Sequence, residues 1–88
     1  MQFSLEIVNE KGLHARASAK FVETVERFDA RATVGRDGME VSGDSIMGLM
    51  MLGAGIGTSI DVTVEGAEAE PLAAALRALV QDRFGEPS

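Results

Sequence analysis

His14 is the only histidine of an 88-residue chain that has no cysteine. It lies in the string Gly-Leu-His-Ala-Arg, where a polar loop gives way to a helical pattern. A helix N-terminus offers unpaired amide groups and roughly half a positive charge, which suits an anion such as phosphate. Arg16 follows within one turn and can donate two parallel hydrogen bonds to phosphate oxygens. A neutral imidazole placed there can also act as a nucleophile.

The charges around His14 favour an anion site, although they do not name the anion. Between Lys11 and Val22 the chain has three cations and no acid, while its net charge is -6. A lone histidine at a helix start is also typical of a simple cap or a solvated side chain. A Ser–His hydrolase site has the residue types but no supporting spacing. A metal site is disfavoured, because only carboxylates could join the histidine.

A second candidate position is Ser45, which precedes a short apolar segment. Serine at this place is typical of a helix N-cap. The segment that follows is too short to bury all of its apolar side chains, so some of them are expected to form an exposed docking patch. Methionine suits such a patch because its flexible side chain adapts to different surfaces.

Four strands and three helices are predicted to position these residues. Alternating apolar residues predict strands at 2–8, around Ala32 and Val34, around Met39 and Val41, and from Ile60 to Val64. Residues 35–38 are predicted to form the turn of a hairpin. Helical periodicity predicts helices at 15–28, at 46–52 and from about Pro71 through Phe84, with Gly85 ending the last one.

This order, βαββαβα, predicts a single α+β domain over residues 1–88. A four-stranded antiparallel sheet with three helices on one face would bury every apolar stripe and leave the other face polar. A chain of this size buries roughly 60% of its extended surface, enough for one modest core.

Composition and charge exclude several classes of partner. An acidic chain without Trp or Tyr is unlike nucleic-acid-binding domains, which are basic and carry stacking aromatic residues. The longest uncharged run lies between Asp44 and Asp61 and is too short and glycine-rich for membrane insertion. The first residues do not have the pattern of a signal peptide. We therefore expect a cytoplasmic domain with no cofactor and no metal.

Two sequence blocks together resemble the HPr family, the histidine-containing phosphocarriers of the bacterial phosphoenolpyruvate-dependent phosphotransferase system. They are Gly-Leu-His-Ala-Arg at residues 12–16 and Ser-Ile-Met-Gly-Leu-Met at residues 45–50. The resemblance extends over essentially the whole chain, including the order of elements. It implies an open-faced β-sandwich and a carrier that takes phosphate from enzyme I and passes it to an enzyme IIA-type acceptor.

The resemblance also implies a role for individual residues. The phosphohistidine would be His14, phosphorylated on Nδ1, and Arg16 would steady the phosphoryl group, with backbone amides of Ala15, Arg16 and Ala17 contacting it. The regulatory phosphoserine would be Ser45, the target of an HPr kinase/phosphorylase in many bacteria. The partner-docking surface would consist of Ile46, Met47 and Met50.

The chain departs from the common family pattern at two positions. Ala17 stands where many members have proline, which adds a backbone donor beside the phosphate. Asp44 precedes Ser45 and would repel a phosphate there, which weakens the case for serine regulation more than the case for histidine transfer. The Ala17–Ser18 and Met50–Met51 pairs resemble proteobacterial members of a nitrogen-related branch, and the sequence does not choose between sugar uptake and regulation.

Two alternatives to the carrier remain open at this point. One is a regulatory HPr-like protein that acts mainly through Ser45 phosphorylation and docking. The other is a small interaction domain of the same fold in which His14 is only a cap. A carrier that docks face-on with two partners works most simply as a monomer, which is our expectation.

Overall fold

The computed structural model describes residues 1–88 and contains one antiparallel sheet of strand order β1-β4-β2-β3. The elements follow the predicted order βαββαβα, with a short 3-10 turn at the end. Their bounds are β1 Gln2–Glu6, α1 Ala15–Glu26, β2 Arg31–Arg36, β3 Met39–Ser42, α2 Ile46–Met51, β4 Ser59–Glu65, α3 Ala69–Gln81 and the 3-10 turn Arg83–Gly85.

The two faces of the sheet differ as the alternation in the sequence predicts. Leu5 of β1 pairs with Ile60 of β4, and both are buried beneath the helices. Ser4 and Asp61, the neighbours of these two residues along their strands, face solvent. There the Ser4 hydroxyl donates to the Asp61 carboxylate over 2.7 Å. One face of the sheet is therefore packed and the other is polar, which confirms the open-faced arrangement.

The hairpin between β2 and β3 is tighter than the predicted four-residue turn. Gly35 and Arg36 belong to β2, and only Asp37 and Gly38 form the turn, with φ of 52° and 82°. A two-residue turn with both residues in the left-handed region matches the twist of the paired strands, which explains why the strands continue closer to the tip than predicted. Arg36 extends from the strand and donates to the Leu52 carbonyl over 2.9 Å, which ties the hairpin to the end of α2.

The core lies between the helices and the packed face of the sheet. Helix α1 begins at Ala15 as predicted but ends at Glu26, two residues before the predicted end at Phe28, which is half-buried. Helix α2 and strand β4 occupy their predicted places. The fully buried large side chains come from every layer and include Ile7, Phe21, Leu49, Ile60, Val62, Leu72, Leu76 and Phe84.

The last helix starts earlier and ends earlier than predicted. It begins at Ala69, so Pro71 lies in the first turn, where a missing amide proton costs little. Phe84 is fully buried as expected, but it lies in the 3-10 turn with φ of 55° and not in the helix. The Lys20 ammonium group donates to the Phe84 carbonyl over 2.6 Å and so fixes this turn against α1.

The longest helix, α3, has 13 residues, and no helix combines the length and apolar character needed to cross a bilayer.

Candidate functional site

A tight loop places His14 at the start of α1. Gly12 has φ of 66°, and its amide donates to the Asn9 carbonyl over 3.2 Å. The amide of Leu13 donates to the Ala54 carbonyl over 3.0 Å, while the Leu13 side chain is buried in the core. The residue just before the histidine is thus anchored on both sides, which fixes where the imidazole emerges.

His14 is the N-cap of α1, as the sequence predicts. Its backbone is extended, with φ of -74° and ψ of -178°, and its Nδ1 accepts a hydrogen bond of 3.3 Å from the Arg16 amide. The side chain is 28% exposed, so a protein partner can reach the ring. The nitrogen that faces the helix N-terminus is therefore Nδ1, the atom that the family resemblance implicates.

The three residues whose amides are expected to contact a phosphoryl group differ in burial. Ala15 and Arg16 are exposed, whereas Ala17 is fully buried. The amides of Ala15 and Ala17 donate to no backbone carbonyl, because the first helical bond runs from Ser18 to the His14 carbonyl. The amides of Ala15 and Ala17 are therefore left without a backbone partner, and the Arg16 amide is bonded to Nδ1 of His14.

An open cleft of about 400 Å³ lies in front of the imidazole. The Arg16 side chain lines it and forms no ion pair, so its guanidinium is available to an anion. The cationic window of the sequence is only partly reproduced, because Lys20 points instead to the Phe84 carbonyl. The lining residues are Glu10, Lys11, His14, Ala15, Arg16, Glu86, Pro87 and Ser88.

The cleft also contains an acid that the sequence analysis missed. The Glu86 carboxylate is paired with His14 Nε2, across 72 positions of the chain. Burial disfavours ionisation of Glu86, but hydrogen bonds from His14 and Asn9, together with the charges of His14 and Lys11, outweigh it and lower the pKa below its usual 4.5. No local pattern signals this pairing, because Glu86 follows the irregular 3-10 turn.

Ser45 caps α2 as predicted. Its hydroxyl oxygen accepts a hydrogen bond of 3.0 Å from the Gly48 amide, and its carbonyl accepts one from the Leu49 amide. The neighbouring Asp44 carboxylate accepts a hydrogen bond of 2.5 Å from the Ser42 hydroxyl. The cap itself accounts for a serine at this position, whether or not it is modified.

Apolar side chains of α2 form an exposed patch next to the histidine. Ile46, Met47 and Met50 are all exposed, with Met47 at 72%. Met51 of the same helix is exposed as well, at 66%, which enlarges the surface beyond the predicted residues. A second cleft, of about 320 Å³, is lined by both His14 and Met50. We call Ile46, Met47, Met50 and Met51, all on α2, the apolar patch.

Comparison with known proteins decides the family. Residues 1–82 match the family model PTS-HPr, described as the PTS HPr component phosphorylation site. The chain belongs to the HPr family. The phosphocarrier protein HPr of Cupriavidus necator is 42% identical over 86 residues, which cover 98% of this chain and 97% of the relative. The chain is accordingly an HPr-type phosphocarrier of the phosphotransferase system.

Solved structures agree with this assignment. HPr-C-His from Thermoanaerobacter tengcongensis superimposes with a TM-score of 0.94 at 38% identity, covering 100% of this chain and 99% of that one. A second structure from the same organism, described as an HPr dimer, has a TM-score of 0.78 at 40% identity and covers 93% of this chain and 94% of that one. The fold predicted from the resemblance is thus confirmed.

Proposed function

We propose that this chain accepts a phosphoryl group from enzyme I on Nδ1 of His14 and passes it to a histidine of an enzyme IIA-type acceptor. The observation that carries the proposal is the placement of an accessible imidazole as the N-cap of α1, with Nδ1 turned to the helix N-terminus. The chain is then a carrier that is itself transiently phosphorylated, and not a free-standing enzyme.

Arg16 and the first amides of α1 would stabilise the transferred group. The guanidinium lines the cleft without an ion pair, and Ala15 and Arg16 are exposed residues at the start of α1. Charge stabilisation and positioning are the main contributions that a protein makes to phosphoryl transfer. An open cleft suits a carrier because the group must leave as readily as it arrives.

Protein partners, and not small molecules, would meet this site. The apolar patch reaches His14 through the second cleft, which Met50 and His14 both line, so one docking face could hold a partner while its own histidine approaches His14. Ile46, Met47 and Met50 would make the central contacts with both enzyme I and the acceptor. Exposed apolar groups of this kind commonly mark a protein interface.

A second candidate function is regulation through Ser45. Its hydroxyl lies at the N-terminus of α2, next to Ile46 of the apolar patch. Phosphorylation by an HPr kinase/phosphorylase would add nearly two negative charges there, where the helix dipole tolerates them but an apolar partner does not. This regulatory role, in sugar uptake or in a nitrogen-related branch, is compatible with carrier chemistry at His14.

We expect the working form to be a cytoplasmic monomer, because docking to two partners in turn needs a free face. The dimeric relative makes the oligomeric state a matter for direct measurement. Sedimentation at micromolar concentration would give a single species of monomer mass, whereas a stable dimer would contradict this part of the proposal.

The carrier proposal is tested by incubating the chain with phosphoenolpyruvate and enzyme I and measuring its intact mass. We expect one added phosphoryl group that is lost in acid and is absent from His14→Ala. Ser45→Ala serves as the matched control and should gain the group normally. An acid-stable adduct on Ser45 with none on His14 would support the regulatory alternative and reject the carrier.

A further inference from the structure

A network of hydrogen bonds holds the imidazole of His14 at both nitrogens. The buried Asn9 side chain donates from Nδ2 to the Gly12 carbonyl over 2.9 Å and to Oε1 of Glu86 over 3.0 Å. The other carboxylate oxygen of Glu86 is bonded to Nε2 of His14. On the far side of the ring, the Arg16 amide donates to Nδ1 over 3.3 Å.

The partners in this network determine where the ring proton lies. A backbone amide can only donate, so Nδ1 must present its lone pair to Arg16. The proton of the neutral ring is then on Nε2, where it faces the Glu86 carboxylate. Asn9 cannot turn its amide around, because both of its Nδ2 partners are acceptors, and its Oδ1 has no partner.

The segment that carries Glu86 is anchored on both sides. Phe84 is fully buried, and its carbonyl accepts from the Lys20 ammonium group. Beyond Glu86, the carbonyl of Ser88 accepts a hydrogen bond of 3.1 Å from the Glu10 amide. These contacts hold the carboxylate at the ring. Glu86 lies beyond residues 1–82, which match the family model.

We propose that Glu86 is a positioning residue for phosphoryl transfer, which holds the proton on Nε2 before, during and after the reaction. The inference rests on the proposed function, in which Nδ1 of His14 carries the phosphoryl group. A proton kept on Nε2 leaves Nδ1 as the nucleophile of the free carrier. It also keeps the phosphorylated ring cationic, so that Nδ1 remains a good leaving group when the acceptor attacks.

The transfer balances without any proton movement. The Nδ1 lone pair forms a bond to phosphorus while the bond from phosphorus to the donor's histidine breaks, and that electron pair returns to the donor nitrogen. The His14 ring then bears one positive charge, which the Glu86 carboxylate faces directly. In the second transfer the P–N bond breaks, its electron pair returns to Nδ1, and the neutral ring with its Nε2 proton is restored.

Other charged groups lie in the cleft with the pair formed by Glu86 and His14. Lys11 and Arg16 line the same cleft, and the charge of Lys11 favours the ionised carboxylate, whereas Glu10 is the second acid of the cleft and accepts a hydrogen bond from the Ser88 hydroxyl. No hydrogen bond or ion pair joins Glu10 to the ring. Glu10→Gln therefore removes the same charge from the same cleft and is a matched control for Glu86→Gln.

The first test is ¹⁵N NMR of the His14 ring in the unphosphorylated chain, which needs no donor enzyme. We expect the Nε2-protonated tautomer to dominate in the natural chain and in Glu10→Gln. The ratio of this tautomer to the Nδ1-protonated one should fall by about fivefold in Glu86→Gln, which keeps an acceptor but loses the charge. Amide spectra of each variant show whether the fold is intact, and Glu86→Ala gives a second variant that removes the acceptor altogether.

The second test measures hydrolysis of the phosphorylated chain against pH, after phosphorylation with phosphoramidate. In Glu86→Gln the fast, ring-protonated branch of the profile should move to lower pH, while Glu10→Gln should follow the natural chain. Folded Glu86→Gln and Glu86→Ala with an unchanged tautomer ratio and an unchanged profile would overturn the inference. Failure of enzyme I to phosphorylate the natural chain would instead reject the proposed function, and the tautomer result would stand apart from it.

Discussion

Gly12 packs against the backbone of Ala54 with no space for a side chain. A Cβ at position 12 would overlap the Ala54 carbonyl oxygen and lie 2.9 Å from the Gly55 Cα. The loop that leads into His14 is thereby seated on the connector that follows α2, and the next amide, of Leu13, bonds to the same carbonyl. The position of the histidine therefore depends on close packing between two segments that are distant in the sequence.

Gly12→Ala is expected to destabilise the fold and to misplace His14. Both the left-handed φ of 66° and the overlap with backbone oppose a side chain, so we expect a loss of about 3 kcal/mol or more. Gly38→Ala is a matched control, because Gly38 also has positive φ but nothing within 4 Å, and should cost only about 1 kcal/mol. Urea unfolding gives both values, and equal losses would contradict the packing argument.

Ser45 separates a structural role from a regulatory one. Ser45→Ala removes the cap on the Gly48 amide and should cost about 1 kcal/mol of stability while leaving transfer from enzyme I unchanged. Ser45→Asp keeps a capping oxygen and adds a charge beside the apolar patch, so it should retain stability but slow transfer by roughly tenfold. Unfolding curves and phosphorylation rates distinguish the two, and normal transfer by Ser45→Asp would count against regulation by charge.

The apolar patch is expected to contribute to docking and not to folding. Met47 is 72% exposed, so Met47→Gln should leave the unfolding midpoint unchanged but raise the KM of enzyme I for this carrier by about tenfold. Met39→Gln is the control, because Met39 is 43% exposed on β3, outside the patch. An equal effect of both substitutions on KM would show that exposed methionines act without regard to position.

Glu86 should make stability depend on pH in the acid range. Its pKa in the folded chain is below 4.5, so the ionised form is favoured by folding. The resulting stabilisation is complete above the unfolded value of about 4.5 and is lost as pH falls through the lower, folded value. Denaturation at pH 7 and pH 3 should therefore show a smaller loss of stability for Glu86→Gln than for the natural chain. Parallel losses would contradict the assignment.

The sequence predicts the sheet and the start of α1 because their signals are local. Alternation in β4 reports burial on one face, and a single loop-to-helix transition places His14 at a helix cap. The sites of disagreement have a different origin. The hairpin tip depends on the left-handed backbone of Asp37, which is not glycine. Phe84 lies outside α3 because Arg83 and Phe84 both have positive φ as well.

The partnership of His14 with Glu86 could not be predicted for a related reason. It depends on a 3-10 turn held by Lys20 and on the buried amide of Asn9, and each of these contacts joins positions far apart in the chain. The charges of residues 11–22 alone therefore do not predict the charge of the site. The tertiary fold brings Glu10 and Glu86 into the same cleft as Lys11 and Arg16.

The central claim is that Nδ1 of His14 carries the phosphoryl group, and one NMR measurement tests it most directly. The chain, labelled with ¹⁵N in its single histidine, is phosphorylated by enzyme I and phosphoenolpyruvate, and one-bond coupling between ³¹P and ring nitrogen is recorded. We predict coupling to Nδ1, with Nε2 still bearing its proton. Coupling to Nε2, or a phosphorus signal coupled to neither ring nitrogen, would contradict the account.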